Sequence, residues 1–269
     1  MTMANPLAFL RAPLLLAWRD GHLALDADAA KFDSLPRTVS APTLDALPDA
    51  VAGLLAPHRG RRVWLRVGDE HARLLHLPRP RGARSPAEIE AALRQRAAQL
   101  HGDAGGGAGW AWRWTAAPGA RADTACALPV ALVAALRAAC RKAGVHGTSL
   151  QSDWIASAAQ SPRRGRLWVL NAGARTLTLG LLDRGHCEGV RRLAPPGPED
   201  DLADVMARAQ PLFAARPEDA LAPVWLFGAP LTVPLGAAAA RVRHVEVDDV
   251  ATLAHSRESR HARWTGGLR

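Results

Sequence analysis

The side chains that could carry out chemistry are scattered along this chain. None of the ten His has a spacing that links it to a Ser, a Cys or a carboxylate, as a nucleophile and its base require. The three cysteines, Cys126, Cys140 and Cys187, are widely spaced and form no C-x-x-C pair, so the sequence predicts neither a disulfide framework nor a zinc site. We expect half-buried free thiols in a reducing compartment, no catalytic residue and no metal centre.

The length and composition limit the classes of protein to which this chain could belong. With 269 residues the chain can form one large or two small domains, and it offers no run of ~20 apolar residues for a membrane span. Arg11 and Pro13 interrupt the N-terminal apolar stretch, which lacks clear signal-peptide features, so a cytosolic protein is favoured. The net charge of +9 comes mainly from dispersed arginines without interleaved aromatics. We therefore do not expect nucleic-acid binding, while an acidic protein or lipid surface stays open as a partner.

The clearest structural pattern lies in residues 166–193. Leu167–Leu170 is typical of a buried strand, and a turn of small residues, Asn171-Ala172-Gly173-Ala174, follows it. Two β-prone runs come next, Thr176–Leu182 and His186–Leu193, joined by Asp183-Arg184-Gly185. Because Gly accepts a positive φ without a Cβ clash, this spacing predicts a β-hairpin.

A similar hairpin is predicted near the N-terminus. Leu14–Trp18 and His22–Asp26 are β-prone, and Arg19-Asp20-Gly21 joins them. The chain thus consists of two halves that each begin with a hairpin.

Local signals place the remaining elements. Ser85-Pro86-Ala87-Glu88 is typical of a helix start with a capping box, and Gly144 is a helix stop. Residues 256–269 are interpreted as a basic tail outside the fold. The pattern predicts helices at Thr43–Leu55, from Ser85, at Pro129–Ala143, Ser152–Ala159 and Leu202–Ala214, and strands at Val63–Val67, Ala72–Leu77, Thr124–Leu128, Pro223–Phe227 and Val242–Val247.

Three tryptophans, Trp110, Trp112 and Trp114, alternate along one run. In a strand, a period of two places all three indoles on one face. That face either forms a hydrophobic core or lines a groove for a partner peptide, since aromatic anchors dominate such grooves.

The order of these pieces resembles the actin-like fold, an α/β fold of two ribonuclease-H-like lobes. More specifically it resembles PilM, the actin-like protein of type IV pilus assembly, and the cytoplasmic domain of GspL of type II secretion. The resemblance covers most of residues 12–247 and implies a small α+β subdomain inserted into the first lobe. The stretches that carry it are Arg73–Pro78 followed by the Ser85 helix, Ala127–Pro129 through Lys142–Val145, Val169–Leu193, and Val224–Pro230.

The resemblance implies a division of the chain into five parts. The first lobe would comprise residues 1–68 and, after the insertion, residues 144–161. The inserted subdomain would span residues 69–143, and the second, reduced lobe residues 162–255. The basic tail would follow at residues 256–269.

The resemblance also implies vestigial nucleotide-binding positions at Asp20, Gly21, Asn171, Gly173 and Gly228. In actin-like ATPases the two hairpin turns bind nucleotide phosphates through backbone N–H groups, and a further Gly-rich turn contacts the adenosine. This chain departs from that pattern, because Asn171 stands where the family has an acid and Gly228 is a single glycine. A phosphate-bound Mg²⁺ needs oxygen ligands, of which few are found at these turns. We therefore expect no cofactor, with ATP and Mg²⁺ as the alternative.

The function implied is that of a non-catalytic scaffold in a type IV pilus or type II secretion platform. The scaffold would be cytoplasmic and peripheral to the inner membrane. It could form a homodimer. Its partner would be a PilN-like or GspM-like single-span inner-membrane protein, whose N-terminal segment lies in a groove between the first lobe and the subdomain. An actin-like ATPase of the same machinery is the alternative. The residues expected near that groove are Arg73, Leu75, Leu77, Trp110, Trp112 and Trp114.

Overall fold

The structure is a computed structural model of the chain. It describes residues 13–26, 37–41, 43–83, 85–101, 109–115, 122–173, 175–194, 200–213, 216–228 and 234–245. The basic tail predicted at residues 256–269 lies outside these ranges.

The described residues form thirteen strands and five α-helices, with short 3₁₀ turns between some of them. The strands are β1 Leu14–Arg19, β2 His22–Asp26, β3 Arg37–Ser40, β4 Arg62–Val67, β5 Arg73–Pro78, β6 Trp110–Thr115, β7 Ala122–Pro129, β8 His146–Ser152, β9 Arg166–Ala172, β10 Leu177–Asp183, β11 His186–Leu193, β12 Val224–Gly228 and β13 Val242–His244. The helices are α1 Leu47–Leu55, α2 Pro86–His101, α3 Val130–Ala143, α4 Asp153–Gln160 and α5 Leu202–Ala209.

Two five-stranded sheets repeat one topology. The first has the order β3-β2-β1-β4-β8 and the second β11-β10-β9-β12-β13. In each sheet three antiparallel strands are followed by two strands that run parallel to the central one. This repetition confirms the predicted fold class of two similar α/β lobes.

Both predicted hairpins form, and each turn contains a glycine, which accepts a positive φ. Asp20 and Gly21 have φ values of 48° and 76°, and Arg184 and Gly185 have values of 51° and 81°. Glycine takes this left-handed region without a Cβ clash, and a short acidic side chain takes it at small cost. Strand alternation then places the apolar side chains of β1, Leu14, Leu16 and Trp18, in the first-lobe core.

The inserted subdomain is a three-stranded sheet of order β5-β7-β6 covered by α2. The helix begins with the predicted capping box: the Glu88 amide donates to Ser85 Oγ at 3.2 Å, and the Ser85 amide donates to Glu88 Oε2 at 3.4 Å.

Helix α3 differs from the predicted division of the chain. It was assigned to the inserted subdomain, which was expected to end at residue 143, but its apolar face packs with α1 in the first-lobe core. Leu132, Leu136 and Cys140 carry this contact. The predicted stop at Gly144 is confirmed, with φ 68° and an amide that donates to the Arg141 carbonyl.

Helix α4 also differs from that division. It follows β8 of the first lobe, but Trp154 and Ile155 pack against Leu167 and Val169 of the second sheet. The amphipathic pattern predicts that a face is buried and leaves open which sheet covers it. Residues 153–160 therefore join the two lobes.

Several element bounds are shifted from those predicted. Asn171 and Ala172 extend β9, whereas the sequence placed them in a turn, because both pair with β10. Helix α1 begins at Leu47 rather than Thr43. Helix α5 ends at Ala209 and continues as a 3₁₀ turn, since Pro211 cannot donate the next backbone bond.

Candidate functional site

The two turns that the resemblance singled out lie on either side of one acidic side chain. In the first turn, the backbone amide of Asp20 donates to Glu70 Oε1 at 3.0 Å. In the second turn, a Cβ placed on Gly173 would lie 4.0 Å from Glu70 Oε2. Glu70 belongs to the 3₁₀ turn Asp69–His71 that follows β4, so three chain segments meet at this carboxylate.

Asp69, the neighbouring residue, joins the two lobes. Its side chain is 2% exposed and accepts hydrogen bonds from Asn171 Nδ2 at 2.8 Å and from the Trp154 amide at 3.0 Å. Burial raises the pKa of Asp69 to about 6, and the two hydrogen bonds act in the opposite direction because they favour the charged form. Asn171 thus supplies a side-chain donor to this carboxylate.

An ion pair lies near Asp69. Arg19, the last residue of β1, donates from Nη2 to Asp153 Oδ1 at 2.6 Å and from Nε to the other carboxylate oxygen. Asp153 is the first residue of α4 and is 3% exposed. Arg66 lies nearby in β4, and burial lowers its pKa to about 10, while Asp153 acts to raise it.

Gly228 is the last residue of β12, which pairs with β9 on the side away from β10. It has φ 91°, and a Cβ on it would collide with the Ala172 carbonyl oxygen and lie 3.1 Å from Asn171 Oδ1. Only glycine allows this approach of β12 to the end of β9. Among the five positions predicted as vestigial nucleotide contacts, Asp20 and Gly173 therefore lie on either side of Glu70, and Gly228 lies against Asn171. Gly21 follows Asp20 in the first turn.

Sequence reasoning missed the acidic residues between these positions. Asp69, Glu70 and Asp153 were not predicted as site residues. The signal that could have located the first two is Gly68-Asp69-Glu70 directly after the apolar run of β4, since a polar segment at the carboxyl end of a parallel strand is a common place for a site.

The carboxylates and the backbone amide at these turns have hydrogen-bond partners within the chain. Each of the three carboxylates, Asp69, Glu70 and Asp153, already accepts a hydrogen bond from within the chain. A metal ion or its waters would compete with these donors for the same oxygens. The amide of Asp20 donates to Glu70.

The residues predicted to contact a partner fall into two groups. Leu75, Leu77 and Trp112 are 7%, 5% and 2% exposed and form the subdomain core with α2. Their burial favours the core interpretation of the tryptophan stripe for Trp112 and leaves no surface for direct partner contact in this arrangement. Trp110 and Trp114 are half-buried at the border of that core.

The half-buried tryptophans are fixed by ring contacts. The Arg73 guanidinium lies 3.9 Å from the centroid of the Trp110 ring, and the Trp114 ring stacks on Trp112 with centroids 5.5 Å apart. Arg73, Trp110 and Trp114 therefore form a partly exposed aromatic border beside the core.

Strand β6 is at one edge of its sheet. Among the described residues it pairs with β7 alone, whereas β5 at the other edge lies against β11 of the second lobe. An edge strand presents backbone donors and acceptors to which an extended segment can add.

Cys126 and Cys187 are half-buried, as the sequence predicts, whereas Cys140 is buried. Cys126, Cys140 and Cys187 are free, and burial raises the pKa of Cys126 to about 12 and of Cys187 to about 11. Within the ranges that the structure describes, no group of His, Cys, Asp and Glu could hold a metal ion. Among the same residues no helix combines the length and apolarity that crossing a membrane requires.

Comparisons with known proteins detect a likeness of structure only. No family model matches the chain, and no curated protein matches it. A chain of the PilM–PilN type IV pilus biogenesis complex superposes with a TM-score of 0.58 at 17% identity, over 89% of this chain and 90% of that one. The cytoplasmic domain of EpsL, an inner-membrane component of the type II secretion system of Vibrio cholerae, gives 0.58 at 10% identity, over 91% and 94%.

A third solved structure names the fold. A Bacteroides thetaiotaomicron protein of unknown function with an actin-like ATPase fold gives a TM-score of 0.56 at 10% identity, over 90% of this chain and 95% of that one. The chain therefore has the actin-like fold that the sequence resemblance predicted, similar to structures of the type IV pilus and type II secretion machineries.

Proposed function

We propose that this protein is a non-catalytic cytoplasmic scaffold of a type IV pilus or type II secretion platform. It binds the cytoplasmic N-terminal segment of a PilN-like or GspM-like single-span protein and reaches the inner membrane through that partner. The observation that carries the proposal is the likeness to a chain of the PilM–PilN complex over about nine tenths of both chains.

The hydrogen bonds of Asp69 and Glu70 support the non-catalytic part of the proposal. Asp69 accepts from Asn171 of the other lobe, and Glu70 accepts from the amide of Asp20. A nucleotide that used these groups would have to break these hydrogen bonds. The cost of breaking them makes the free energy of phosphate binding less favourable.

The aromatic border supports the partner-binding part. Trp110 and Trp114 belong to β6, which has an unpaired edge in the described part of the chain. A partner strand added there would hydrogen-bond along β6 and place its side chains near the indoles and Arg73. Trp and Arg are the residues most enriched among interface hot spots.

The test uses the purified protein and a synthetic peptide of the cytoplasmic N-terminal segment of the PilN-like protein from the same organism. Fluorescence anisotropy of the labelled peptide should show saturable binding, which Trp114→Ala weakens by about 30-fold, the equivalent of ~2 kcal/mol. Trp225→Ala is the matched control, because Trp225 is also half-buried but lies in the second lobe. Absence of binding to the PilN-like and GspM-like segments, in a folded protein, would contradict the proposal.

The alternative is an actin-like ATPase of the same machinery. The contact of Asp20 with Glu70, and of Asn171 with the adjacent Asp69, favours it. Calorimetry with ATP and Mg²⁺ separates the two functions. The scaffold predicts no measurable heat, whereas a dissociation constant near ~1 μM, about −8 kcal/mol, supports the ATPase.

A further inference from the structure

A basic surface lies at the end of the first sheet where β4 and β8 begin. The turn that follows α1 meets the end of α3 there: the Gly60 amide donates to the Gly144 carbonyl at 2.8 Å, and the His146 amide donates to the Arg61 carbonyl at 2.9 Å. These bonds bring two distant parts of the chain onto one surface. The basic side chains at this junction are Arg59, Arg61, Arg62, Arg141, Lys142 and His146.

The charges of Arg59 and Arg141 are accessible on this surface, since both residues are exposed. A Cβ on Gly144 would lie 2.9 Å from Arg59 Cγ, so the Arg59 side chain crosses onto the end of α3. Lys142 pairs with Asp49 at 2.9 Å, but the two side chains are 69% and 84% exposed, and solvent screens the pair. The surface therefore attracts anions.

The chain enters β1 beside the basic surface. Leu14 pairs with Val63 of the parallel strand β4, so Pro13 lies close to Arg62, because neighbouring strands are about 4.8 Å apart. Residues 1–12, which are covalently joined to Pro13, contain no Asp or Glu. The large apolar side chains near the end of this segment are Leu7, Phe9 and Leu10.

We propose that the basic surface is a binding site for an anionic lipid bilayer. The arginines contact the headgroup phosphates, and the apolar side chains of residues 1–12 insert between the lipids. An acidic protein segment could also pair with the arginines, but the apolar, acid-free segment at the same place favours lipid. The site adds a direct contact with the membrane to the one that the proposed scaffold makes through its partner.

The test measures flotation of the full chain with lipid vesicles, in the absence of any partner peptide. The wild type should bind vesicles of phosphatidylglycerol and phosphatidylcholine and should not bind vesicles of phosphatidylcholine alone. Arg59→Gln combined with Arg141→Gln removes two charges from the surface, and the lipid partition coefficient should fall about 30-fold. Arg59→Lys combined with Arg141→Lys keeps both charges and should bind as the wild type does.

A matched control removes the same charge from the inserted subdomain. Arg81→Gln combined with Arg96→Gln changes two exposed arginines, and partition should change less than about 2-fold, because salt screens charges beyond about 8 Å. A further variant tests insertion. Phe9→Ser combined with Leu10→Ser removes two apolar side chains and should weaken partition about 10-fold or more.

Each failure has a separate signature. If the wild type does not bind the anionic vesicles, or if both glutamine pairs weaken binding equally, the lipid site is wrong while the scaffold proposal stands. If the serine variant binds as the wild type does, the insertion of residues 1–12 is wrong. Binding to soluble polyglutamate that depends on Arg59 and Arg141, without binding to vesicles, would replace the lipid by an acidic protein. Vesicle binding without binding of the partner peptide would contradict the scaffold alone.

Discussion

The side-chain amide of Asn171 donates to the carboxylate of Asp69 across 2.8 Å, and the two residues belong to different lobes. Asn171 lies in β9 of the second sheet, while Asp69 follows β4 of the first. The bond is buried, since Asn171 is 5% exposed and Asp69 2%. It therefore connects the lobes where solvent competes little for its donor and acceptor.

Removing this donor should destabilise the folded protein. Asn171→Ala leaves a buried carboxylate with one bond fewer, for which we expect a loss of about 1–3 kcal/mol in the free energy of unfolding, measured in urea. Asp49→Ala is the control, because it removes an exposed partner of Lys142 and should cost less than about 1 kcal/mol. Equal effects of the two substitutions would show that the bond between the lobes contributes nothing specific.

Asp69 should also make stability depend on pH. Its folded-state pKa of about 6 lies above the ordinary value of 3.8, so between these values the folded state holds more protons than the unfolded state. The stabilisation is fully present below pH ~4 and is lost as the pH rises through about 6, by roughly 3 kcal/mol in all.

The measurement compares the wild type with Asp69→Asn, which keeps the shape without the titration. Urea denaturation of both proteins from pH 4 to 7 gives the difference in their unfolding free energies, from which the titration of groups common to both cancels. As the pH rises, the unfolding free energy of the wild type should fall relative to that of Asp69→Asn. A constant difference would mean that Asp69 titrates at its ordinary value.

Gly180 should tolerate no larger residue, because Trp154 of α4 lies against its α-carbon. A Cβ there would overlap the indole ring and lie 3.1 Å from the Gly189 carbonyl oxygen. We expect Gly180→Ala to cost about 1–3 kcal/mol through displacement of the tryptophan that joins α4 to the second sheet. At Gly147 the atom nearest to a Cβ is Cys140 Sγ at 3.6 Å, an ordinary van der Waals contact, so Gly147→Ala is a matched control with an expected change within about 0.5 kcal/mol. Thermal unfolding of both variants tests the contrast, and similar melting temperatures would refute it.

The tryptophan stripe should divide into a core residue and border residues. Trp112→Ala empties a fully packed position and should cost about 3–5 kcal/mol of stability. Trp110→Ala and Trp114→Ala remove half-buried rings and should cost less stability. Both should weaken the binding of the partner peptide. Chemical denaturation and peptide binding are measured on all three variants. If all three unfold early, or if all three bind normally, the border takes no part in the interface.

Local features of the sequence determine much of this fold. Asp20-Gly21 and Arg184-Gly185 specify the two hairpins, the Ser85–Glu88 capping box begins α2, and Gly144 ends α3. In each case the signal and the structure lie within a few residues of each other, so backbone conformation and nearby hydrogen bonds are sufficient. The order of these elements then limits the topology to that of two repeated lobes.

Tertiary structure alone decided which surfaces meet. The apolar face of α3 could cover either the subdomain or the first lobe, and that of α4 either lobe, because amphipathicity specifies burial but no partner. Asn171 and Asp69 are 102 positions apart, and neither residue type indicates that the other is its hydrogen-bond partner. The sequence thus determined the turns, the caps and the repeated order of strands. The hydrogen bonds from Asn171 to Asp69 and from Asp20 to Glu70 depended on long-range packing that no local pattern encodes.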